Sequence, residues 1–480
     1  MADRPKQTVG AVVLAAGRSK RFRSSVPKVL HASAGRPLAL WVLETLRELH
    51  RTTKLGRVVL VVPPGGAVEE ALERARFPFK LAFAVQDVPR GTGDAVHVGL
   101  DALGRADEVL VLAGDGPLVR PDSLRTLVRT RRRTGAAVAL LTAVVDDPGA
   151  YGRIVRDERG RVTAIVEAKD LADDQRGIDE INASIYAFDR RALADALPRL
   201  DTDNAQGELL LTDAVAMLSR DGTAAVEGHP QEVLGANTRR EFEEVSALLR
   251  RRVLDRLMDA GVSIVHPDST FVDADVKVGQ DTVLLPGVFL EGATSIGRGC
   301  EIGPNVRLVD TTVGEGSRVT FAVARRTKIG ARCEVGPFAS LRDGTVLRTG
   351  AKAGTFVETK AAEIGEGSKV PHLSYMGDVR IGRRTNVGAG TITCNYDPFK
   401  QAPDGGTKHR TEIGDDVFVG SDTMLVAPVR LARGARTGAG SVVNRDVPPD
   451  TVVYGVPARP RPAEERKTKK AAKRSEKGRR

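Results

Sequence analysis

The sequence predicts an α/β domain with a parallel sheet, followed through one long helix by a parallel β-helix. Short apolar runs alternate with helical patterns from residue 9 to about residue 235, as in α/β domains. An amphipathic stretch without glycine or proline covers residues 238–260. After it, pairs of isoleucine or valine with glycine recur at a period of six residues, which indicates a β-helix.

The apolar runs of the first domain read as strands that are covered on both faces. The runs VGAVVLAAG, RVVLVVP and DEVLVLAGD are continuous and rich in β-branched residues, and stretches such as LALWVLETLRELH lie between them at helical spacing. Open sheets of this kind bind ligands beyond the C-terminal ends of their strands. The ends of VVLAAG and VLVLAGD are therefore predicted to border a binding site.

The stretch 238–260 predicts a helix that connects two domains. Phe242, Val245 and Leu249 belong to an apolar series at steps of three and four residues, and Gly261 is a plausible C-cap. The predicted domains are a head of residues 1–237, a linker helix of residues 238–260, a β-helix of residues 261–460 and a basic tail of residues 461–480.

The six-residue period predicts a narrow prism rather than a generic glycine-rich β domain. The aliphatic residue of each pair is expected to point inward, and the glycine to make the tight turn after it. An aromatic content of 4% fits so narrow an interior. The pairs are Val278-Gly279, Ile296-Gly297, Ile302-Gly303, Val313-Gly314, Ile329-Gly330, Val335-Gly336, Ile364-Gly365, Ile381-Gly382, Val387-Gly388, Ile413-Gly414 and Val419-Gly420.

The formal net charge of +11 does not by itself indicate nucleic acid as a partner. Residues 461–480 hold ten Lys or Arg against three Glu, so this tail carries most of the excess. Such a run is typical of a disordered, solvated extension, and weak contact with a polyanion or a membrane surface is the alternative.

The cysteines and the N-terminus favour a soluble cytoplasmic protein. Three cysteines (Cys300, Cys333 and Cys394) in 480 residues do not predict a disulfide framework, and Cys394 is expected to be a buried small apolar residue. No run of about 18 apolar residues could span a membrane. The first apolar run becomes a glycine loop too soon for a signal peptide.

A candidate phosphate-binding loop follows the first predicted strand. The segment LAAGRSKRF, followed by VPKVLH, places Arg18, Lys20, Arg21 and Lys28 near a glycine turn. Backbone N–H groups at such a turn can cradle phosphate, and the cations can neutralise its charge.

With this loop, the head resembles the sugar nucleotidyltransferases, and especially the family of bifunctional UDP-N-acetylglucosamine pyrophosphorylases/glucosamine-1-phosphate N-acetyltransferases. The resemblance continues in the family's order through Gln86, GTGDA, AGDGPL, AYGRIV, IVEAKD, EINAS, NAQGELLLTD and GANTRREF. It implies a Rossmann-like nucleotidyltransferase domain and a left-handed β-helix, although crossovers between parallel strands are right-handed in most sheets.

The resemblance implies a site without a general base in the head. A sugar-1-phosphate is already an anionic nucleophile, so its attack on UTP needs in-line positioning and charge neutralisation. Asp115 and Asn237 would hold Mg²⁺, and Arg21 and Lys28 would be the catalytic cations at the phosphates. The uridine would lie among Leu14, Ala15, Ala16, Gly17, Gln86, Gly91 and Thr92, and the sugar would contact Ala113, Gly114, Gly152, Glu167 and Asn182. Ser19, Ala113 and Ser184 depart from the family's pattern, so sugar selectivity stays open.

The β-helix carries a second ordered set of motifs. These are SLRDG, FVETK, PHLSYMGD, TNVGAGTITCNYD, VFVGSDT, GAGSVV and VVYGVPARP, the last typical of acyl-CoA-dependent hexapeptide acyltransferases. The amine of a sugar must lose a proton before it attacks a thioester, and histidine suits that base role. His372 is the candidate base, and the resemblance implies that Glu358 lies close enough to orient it.

The resemblance also implies the remaining ligands of this second site. Arg342 and Lys360 would bind the sugar phosphate, and Tyr375, Asn386 and Asn395 would fix the ring. Acetyl-CoA would lie along Ala389, Asn395, Tyr396, Ser421 and Ala439. The segment from Asp397 breaks the six-residue phase, and the family uses this loop to reach a neighbouring subunit, so a homotrimer is implied.

The sequence therefore predicts a bifunctional enzyme for cell-wall precursor synthesis. It would acetylate glucosamine-1-phosphate with acetyl-CoA and couple the product to UTP with Mg²⁺, releasing pyrophosphate. One alternative is a monofunctional sugar-1-phosphate nucleotidyltransferase with a non-catalytic β-helix. The other is a regulatory subunit of the same architecture.

Overall fold

The computed structural model describes residues 7–17, 20–402 and 405–460, and these form two compact units. The first unit ends at Leu249 and the second begins at Arg250. Arg18, Ser19, the side chain of Lys20 and the basic tail lie outside the described part, so the predictions made for them stay predictions.

The first unit contains an α/β sheet with its helices. Its strands are β1 (Val9–Leu14), β2 (Ala32–Ser33), β3 (Arg36–Pro37), β4 (Leu55–Val62), β5 (Lys80–Val85), β6 (Glu108–Ala113), β7 (Val138–Val144), β8 (Arg153–Arg156), β9 (Val162–Val166), β10 (Glu180–Asp189) and β11 (Thr223–Glu227). Its helices are α1 (Leu38–His50), α2 (Ala67–Leu72), α3 (Thr92–Leu103), α4 (Pro121–Thr134), α5 (Arg190–Ala196) and α6 (Leu211–Leu218), and α7 (Arg239–Asp259) leads into the second unit.

The main sheet has the order β11-β7-β10-β6-β1-β4-β5, and apolar residues cover both of its faces. Along β1, Ala11 and Val13 pack into one core cluster, and Val12 packs into the other. The sheet is mixed, because β10 runs antiparallel to both β6 and β7 whereas the other neighbours on this path are parallel. The strands predicted as VGAVVLAAG, RVVLVVP and DEVLVLAGD correspond to β1, β4 and β6.

The linker helix forms where the periodicity predicts it, and its first half packs on the head. Val245 and Leu249 are buried in a cluster with Leu38 and other residues of the first unit, so this unit continues past residue 237. Gly261 follows the helix as the predicted C-cap, and its φ is +88°. The two residues after Ala260 donate their N–H groups back to Met258 and Leu257, at 2.9 and 3.0 Å, which is the Schellman pattern.

The second unit is a parallel β-helix of short strands. They are β12 (Ser263–Ile264), β13 (Thr270–Val272), β14 (Lys277–Val278), β15 (Val283–Leu284), β16 (Val288–Glu291), β17 (Ser295–Ile296), β18 (Glu301–Ile302), β19 (Val306–Val309), β20 (Thr312–Val313), β21 (Arg318–Val319), β22 (Ala322–Arg325), β23 (Lys328–Ile329), β24 (Glu334–Val335), β25 (Ala339–Leu341), β26 (Val346–Leu347), β27 (Lys352–Lys360), β28 (Glu363–Ile364), β29 (Lys369–Gly377), β30 (Val379–Ile381), β31 (Asn386–Val387), β32 (Ile392–Cys394), β33 (Thr411–Ile413), β34 (Phe418–Val419), β35 (Met424–Val426), β36 (Val429–Leu431), β37 (Arg436–Thr437), β38 (Val442–Val443), β39 (Val452–Tyr454) and β40 (Arg459–Pro460).

Each strand of the β-helix pairs in parallel with the equivalent strand of the next coil, apart from the antiparallel last pair, β39 with β40. Ile364 pairs with Ile381, and Ile381 pairs with Ile413, so one coil is lengthened by the segment that breaks the six-residue phase. The three isoleucines are buried, as predicted for the aliphatic residue of each pair. Buried threonines and serines fill much of the remaining interior.

Most glycines of the aliphatic–glycine pairs have a different physical role from the predicted turn, whereas Gly303 and Gly336, with φ of +113° and +94°, lie in the left-handed region as predicted. Gly279 and Gly297 lie outside the left-handed region, but a Cβ on them would stand 2.7 Å and 2.6 Å from backbone nitrogens of the next coil. Their small size thus permits the coils to stack closely. The left-handed turn falls two residues later, as at Gly299, whose φ is +61°.

The three cysteines are free thiols. Cys300 and Cys333 are buried, but Cys394 is only half-buried, because it points outward from the coil while its neighbour Thr393 points inward. Burial raises the pKa of all three thiols. Within the described residues, no helix combines the length and the apolar character needed to cross a bilayer.

Two candidate active sites

A cavity of about 490 Å³ lies in the first unit at the C-terminal ends of β1 and β6. Its lining contains all the residues predicted to surround the uridine: Leu14, Ala15, Ala16, Gly17, Gln86, Gly91 and Thr92. The two strand ends are joined by a hydrogen bond of 2.8 Å from the Gly114 N–H to the Leu14 carbonyl. A Cβ at Gly114 would stand 2.9 Å from that carbonyl oxygen, so this approach requires glycine.

A smaller cavity of about 190 Å³ adjoins the first and is lined by four of the five residues predicted to contact the sugar, all except Gly114. Gly152, Glu167 and Asn182 line it together with Tyr151. The two cavities share Ala113, Asp115, Glu167 and Ser184. The structure therefore brings the predicted nucleotide and sugar residues together on the two sides of Asp115.

The amide of Gln86 is held in one orientation inside the larger cavity. Its Nε2 donates to the Asp94 carboxylate at 2.7 Å and to the Gly91 carbonyl at 3.4 Å. Arg90 neutralises the other oxygen of buried Asp94 at 2.8 Å. Because both of these hydrogen bonds use the amide nitrogen, the carbonyl oxygen of Gln86 can accept a hydrogen bond from a bound base. The Gly91 φ of +124° and the Leu209 backbone beside it exclude a side chain at that position.

The two predicted metal ligands converge on one cation, the ammonium of Lys28. This group donates to the Asp115 carboxylate and, at 3.0 Å, to the Asn237 carbonyl oxygen. The contact differs from the predicted one, in which Lys28 meets a phosphate. Two oxygens arranged around one positive charge are a donor set that fits Mg²⁺, which commonly takes one or two protein oxygens and completes its shell with water and phosphate. The described ranges contain no group of three or more His, Cys, Asp or Glu side chains that could hold a metal ion.

Arg21 does not line either cavity. It lies exposed on the short 3₁₀ turn Lys20–Phe22, next to Phe22, which is buried. Of the cations predicted from the phosphate-binding loop, only Lys28 is placed in the cavity among the residues whose side chains are described.

Asn182 and Ser184 form a tight irregularity in β10. The Asn182 side chain donates to the Tyr186 hydroxyl at 2.7 Å and accepts from the Ser184 N–H at 3.1 Å. Ser184 has a φ of +54°, a region that glycine adopts more readily, which gives a physical reason for a smaller residue there. Buried Asn182 thus has a local structural role in addition to its predicted contact with the sugar.

Glu167 is held by a residue that sequence reasoning did not single out. Thr212 donates to its carboxylate at 3.1 Å, and burial raises the pKa of Glu167. Thr212 and Glu208 also line the larger cavity, and both come from the motif NAQGELLLTD. The motif predicted that this segment matters, but only the fold shows which of its side chains reach the site.

The candidate base of the β-helix stands in register with the predicted acetyl-CoA residues. The pairings of Lys369 with Asn386, Asn386 with Phe418 and Phe418 with Arg436 fix the register of four coils. In that register, one outer corner of four consecutive coils carries His372, Ala389, Ser421 and Ala439. His372 is exposed at the beginning of this column of small residues.

Glu358 lies beside Tyr375 rather than beside His372. Strand pairing matches Glu358 with Tyr375 and His372 with Thr355. The Glu358 carboxylate accepts from Arg342 at 2.8 Å, and the His372 ring makes no hydrogen bond within the described part of the chain. Within one chain, Glu358 therefore does not orient His372 as predicted, but contacts Arg342 instead.

The predicted phosphate ligands form a cationic cluster with one further residue. Lys360 lies beside Lys408, and this neighbour is the main cause of a lowered pKa at Lys360, with Arg342 adding to the effect. Lys408 was not predicted, because it lies in the loop that breaks the period. It is brought to the cluster by a bridge with Tyr396, which is itself exposed. Predicted Asn395 is buried and donates to Asp378.

Comparison with known proteins gives matches along most of the chain. The family model of the MobA-like NTP transferase domain matches residues 11–264. The bifunctional protein GlmU of Streptomyces avermitilis is 45% identical over 448 residues, which cover 92% of this chain and 90% of that protein. The bifunctional protein GlmU of Thermobifida fusca is 47% identical over 458 residues, covering 93% and 91%. That of Caldanaerobacter subterraneus subsp. tengcongensis is 42% identical over 441 residues, covering 91% and 93%.

Proposed function

Because the chain belongs to the family of bifunctional GlmU proteins, we propose that its two reactions take place separately, one in each compact unit. The enzyme acetylates glucosamine-1-phosphate with acetyl-CoA and transfers a uridylyl group from UTP to the product, giving UDP-N-acetylglucosamine and pyrophosphate. It uses Mg²⁺ and serves cell-wall synthesis, and its second unit is a left-handed β-helix. We place it in the cytoplasm, where UTP and acetyl-CoA are available.

The convergence of Lys28, Asp115 and Asn237 between the two cavities carries the assignment of the uridylyl-transfer site. Bound Mg²⁺, held by Asp115 and Asn237, supplies positive charge to the phosphates. The Gln86 carbonyl accepts the imide proton of uracil and thereby selects the base. The sugar phosphate, held beside Glu167, lies in line with the α-phosphorus, so its oxygen bonds there while the bond to the β-phosphate breaks.

Release of the ammonium of Lys28 from the two metal ligands accompanies this reaction. The side chain can then contact the phosphates, as the resemblance implies. Its charge offsets the negative charge that accumulates on the departing pyrophosphate. Lys28 thus neutralises the Asp115 carboxylate before the nucleotide binds and the phosphates of the nucleotide afterwards.

The shared corner position of His372, Ala389, Ser421 and Ala439 supports the assignment of the acetyl-transfer site. Small side chains along the corner leave room for the pantetheine arm, so the thioester can approach the histidine. His372 removes a proton from the sugar ammonium, and the freed nitrogen attacks the thioester carbonyl. The bond from carbon to sulfur then breaks, and the CoA thiolate takes up the second proton that the nitrogen loses as it becomes an amide.

The cationic cluster holds the acceptor sugar beside this base. Arg342, Lys360 and Lys408 bring positive charges together, which favours a doubly charged phosphate group. Glu358 fixes the guanidinium of Arg342 at 2.8 Å. Tyr375 lies next to Glu358 on the following coil and faces the same side, where it can contact the sugar ring.

Paired activity measurements test the two-site assignment. We expect His372→Ala to abolish CoA release from acetyl-CoA and glucosamine-1-phosphate but to preserve pyrophosphate release from UTP and N-acetylglucosamine-1-phosphate. We expect Asp115→Ala to do the reverse. Each folded variant serves as the control for the other. Loss of both activities in either one would contradict two independent sites, and intact CoA release in the His372 variant would contradict the assigned base.

We also propose that the chain is a homotrimer, because the β-helix exposes an apolar ladder near His372. Phe338, Phe356 and Leu373 follow one another on successive coils and are 54%, 58% and 62% exposed. All three have a positive φ, which costs non-glycine residues about 1–2 kcal/mol each. The lengthened loop adds Phe399, which is 99% exposed. Contact with neighbouring copies would remove these side chains from water.

The mass of the assembly tests this part of the proposal. Phe356→Asp places a charge in the ladder and should reduce the mass in light scattering from that of three chains to that of one. Val265→Asp is the matched control, since Val265 is 58% exposed and does not belong to the ladder. A wild-type protein with the mass of one chain, or a Phe356 variant that remains trimeric, would contradict the proposed interface.

A further inference from the structure

The residue after the predicted metal ligand Asn237 begins the linker helix with a reciprocal cap. The Thr238 hydroxyl accepts the Glu241 N–H at 3.2 Å, and the Glu241 carboxylate accepts the Thr238 N–H at 2.8 Å. This is the capping box of a helix, and its sequence pattern is Thr-Arg-Arg-Glu. Its ordinary effect is to satisfy N–H groups that the first helical turn leaves without partners.

The carboxylate of Glu241 has a second task in this cap. The same oxygen, Oε2, also accepts the N–H of Asn237 at 2.7 Å. On the other side, the Ala236 N–H donates to the Asp115 carbonyl at 3.1 Å. The residue before Asn237 is therefore tied to Asp115, and the N–H of Asn237 itself is tied to Glu241. Its side-chain oxygen points to the ammonium of Lys28, at 3.0 Å.

The first turn of the helix also packs on the segment that carries the phosphate-binding cations. The Phe242 ring lies edge-on to Phe22 with centroids 5.7 Å apart, and Phe22 lies 4.6 Å from the ring of His31. The Arg239 guanidinium stands 4.3 Å above the Phe22 ring. Since Lys28 lies between Phe22 and His31 in the chain, these contacts keep the helix start close to that segment. Glu241 is thus part of a rigid support.

We propose that Glu241 is a positioning residue for uridylyl transfer, which fixes Asn237 so that its carbonyl oxygen and the Asp115 carboxylate bind one metal ion together. The inference rests on the proposed function, in which Asp115 and Asn237 hold Mg²⁺. Without the carboxylate, the N–H groups of Asn237 and Thr238 lose their shared acceptor. The Asn237 side chain then spends less time in the binding position, so a higher concentration of Mg²⁺ is needed to fill the site.

The test uses the full-length enzyme and measures the binding of a divalent metal in addition to activity. Mn²⁺ binding in the presence of UTP is followed by electron paramagnetic resonance, and the half-saturating Mg²⁺ concentration is taken from pyrophosphate release. Glu241→Ala should raise the dissociation constant of Mn²⁺ and the half-saturating Mg²⁺ concentration about tenfold. A tenfold change corresponds to about 1.4 kcal/mol, which is similar to the stability lost when a helix cap is removed. CoA release by the β-helix should stay unchanged.

Three matched variants separate positioning from general stability. Glu241→Gln keeps an oxygen acceptor and should restore metal binding to within about twofold of the wild type. Glu243→Ala removes an exposed acid from the same turn and should have no effect. Thr238→Ala removes the other half of the cap and leaves the Asn237 N–H bond in place. It should lower the melting temperature of the enzyme without changing its need for metal.

The outcomes distinguish the inference from the proposed function. If Glu241→Ala binds metal as the wild type does while Asn237→Ala binds it more weakly, the positioning role is wrong and the metal assignment stands. If Asn237→Ala also binds metal normally, the metal assignment itself is wrong. If Glu241→Ala does not fold, Thr238→Ala and Glu241→Gln decide: a raised metal requirement in Thr238→Ala, or in a folded Glu241→Gln enzyme, would overturn the proposal.

Discussion

Replacing Lys28 by methionine should let the enzyme bind Mg²⁺ more tightly in the absence of nucleotide, although uridylyl transfer should fall. In the structure, the ammonium contacts Asp115 and Asn237, the two oxygens that we assign to the metal. Mg²⁺ must therefore displace the ammonium before it can bind. Methionine keeps most of the length and apolar volume of lysine but offers no competing charge.

The size of the effect follows from the burial of the ion pair. The side chains of Lys28 and Asp115 are 15% and 18% exposed, so the pair is neither fully buried nor open to water. Breaking exposed pairs costs about 0–1 kcal/mol, and removing one partner of a buried pair costs about 3–5 kcal/mol. An intermediate value of about 1–3 kcal/mol is expected here. Relief of the competition should then tighten Mg²⁺ binding by about 5- to 150-fold.

Thermal unfolding across a series of Mg²⁺ concentrations measures this effect. Without metal, Lys28→Met should melt below the wild type, because the Asp115 carboxylate has lost its counter-charge. Added Mg²⁺ should then raise the melting temperature of the variant more than that of the wild type, since a ligand stabilises according to its concentration relative to its dissociation constant. Lys54→Met is the matched control, because Lys54 is an exposed lysine that lines neither cavity.

An equal response to Mg²⁺ in the wild type and in Lys28→Met would refute the reasoning. It would mean either that the metal binds elsewhere or that the ammonium does not compete with it. The double variant with Asp115→Ala separates these cases. If the metal binds at Asp115, the additional stabilisation should disappear in the double variant.

Three further predictions concern stability. Glu167→Gln should stabilise the enzyme at neutral pH, because burial raises the pKa of Glu167 and the native state gains stability as the pH falls through that pKa. Chemical denaturation at several pH values should show that the variant's gain in the free energy of unfolding shrinks in acid. A gain that grows in acid would contradict the direction of this pKa shift. Gly365→Ala should cost about 1–3 kcal/mol because its Cβ would overlap the Gly382 carbonyl, whereas Gly177→Ala, with open space around it, should be nearly neutral in the same chemical denaturation. Ser184→Val should lower the free energy of unfolding by about 1–3 kcal/mol because a β-branched residue fits its φ of +54° poorly, and an unchanged value would argue against that backbone conformation.

The sequence predicts the elements whose signal repeats over many residues. The helix expected over residues 238–260 forms over Arg239–Asp259, and the six-residue period corresponds to stacked coils. The direction of β10 was not predictable, because an apolar run is the same whether a strand runs parallel or antiparallel to its neighbours. The role of most glycines after the aliphatic residue was misjudged for a related reason: the repeat shows that a side chain is excluded but not whether a turn or a neighbouring coil excludes it.

The candidate sites were predictable as motifs but not as contacts. Lys28 and Asp115 were both identified, yet their ion pair joins distant parts of the chain and follows only from the fold. Lys408 lies in the loop that interrupts the period, where no pattern marks a phosphate ligand. Glu241 could have been found, because Thr-x-x-Glu before an apolar helix is a known capping signal. Its bond to Asn237 could not, because that bond depends on how the preceding loop folds back.

The packing of the linker helix determines where the protein can be truncated to study uridylyl transfer alone. A fragment that ends at residue 237 would keep every predicted metal ligand but lose Val245 and Leu249, which close the apolar cluster around Leu38. That cluster would then be open to water, and the fragment would tend to aggregate when expressed. A fragment that ends at Asp259 retains the whole helix and is the better choice for crystals and for inhibitor screening.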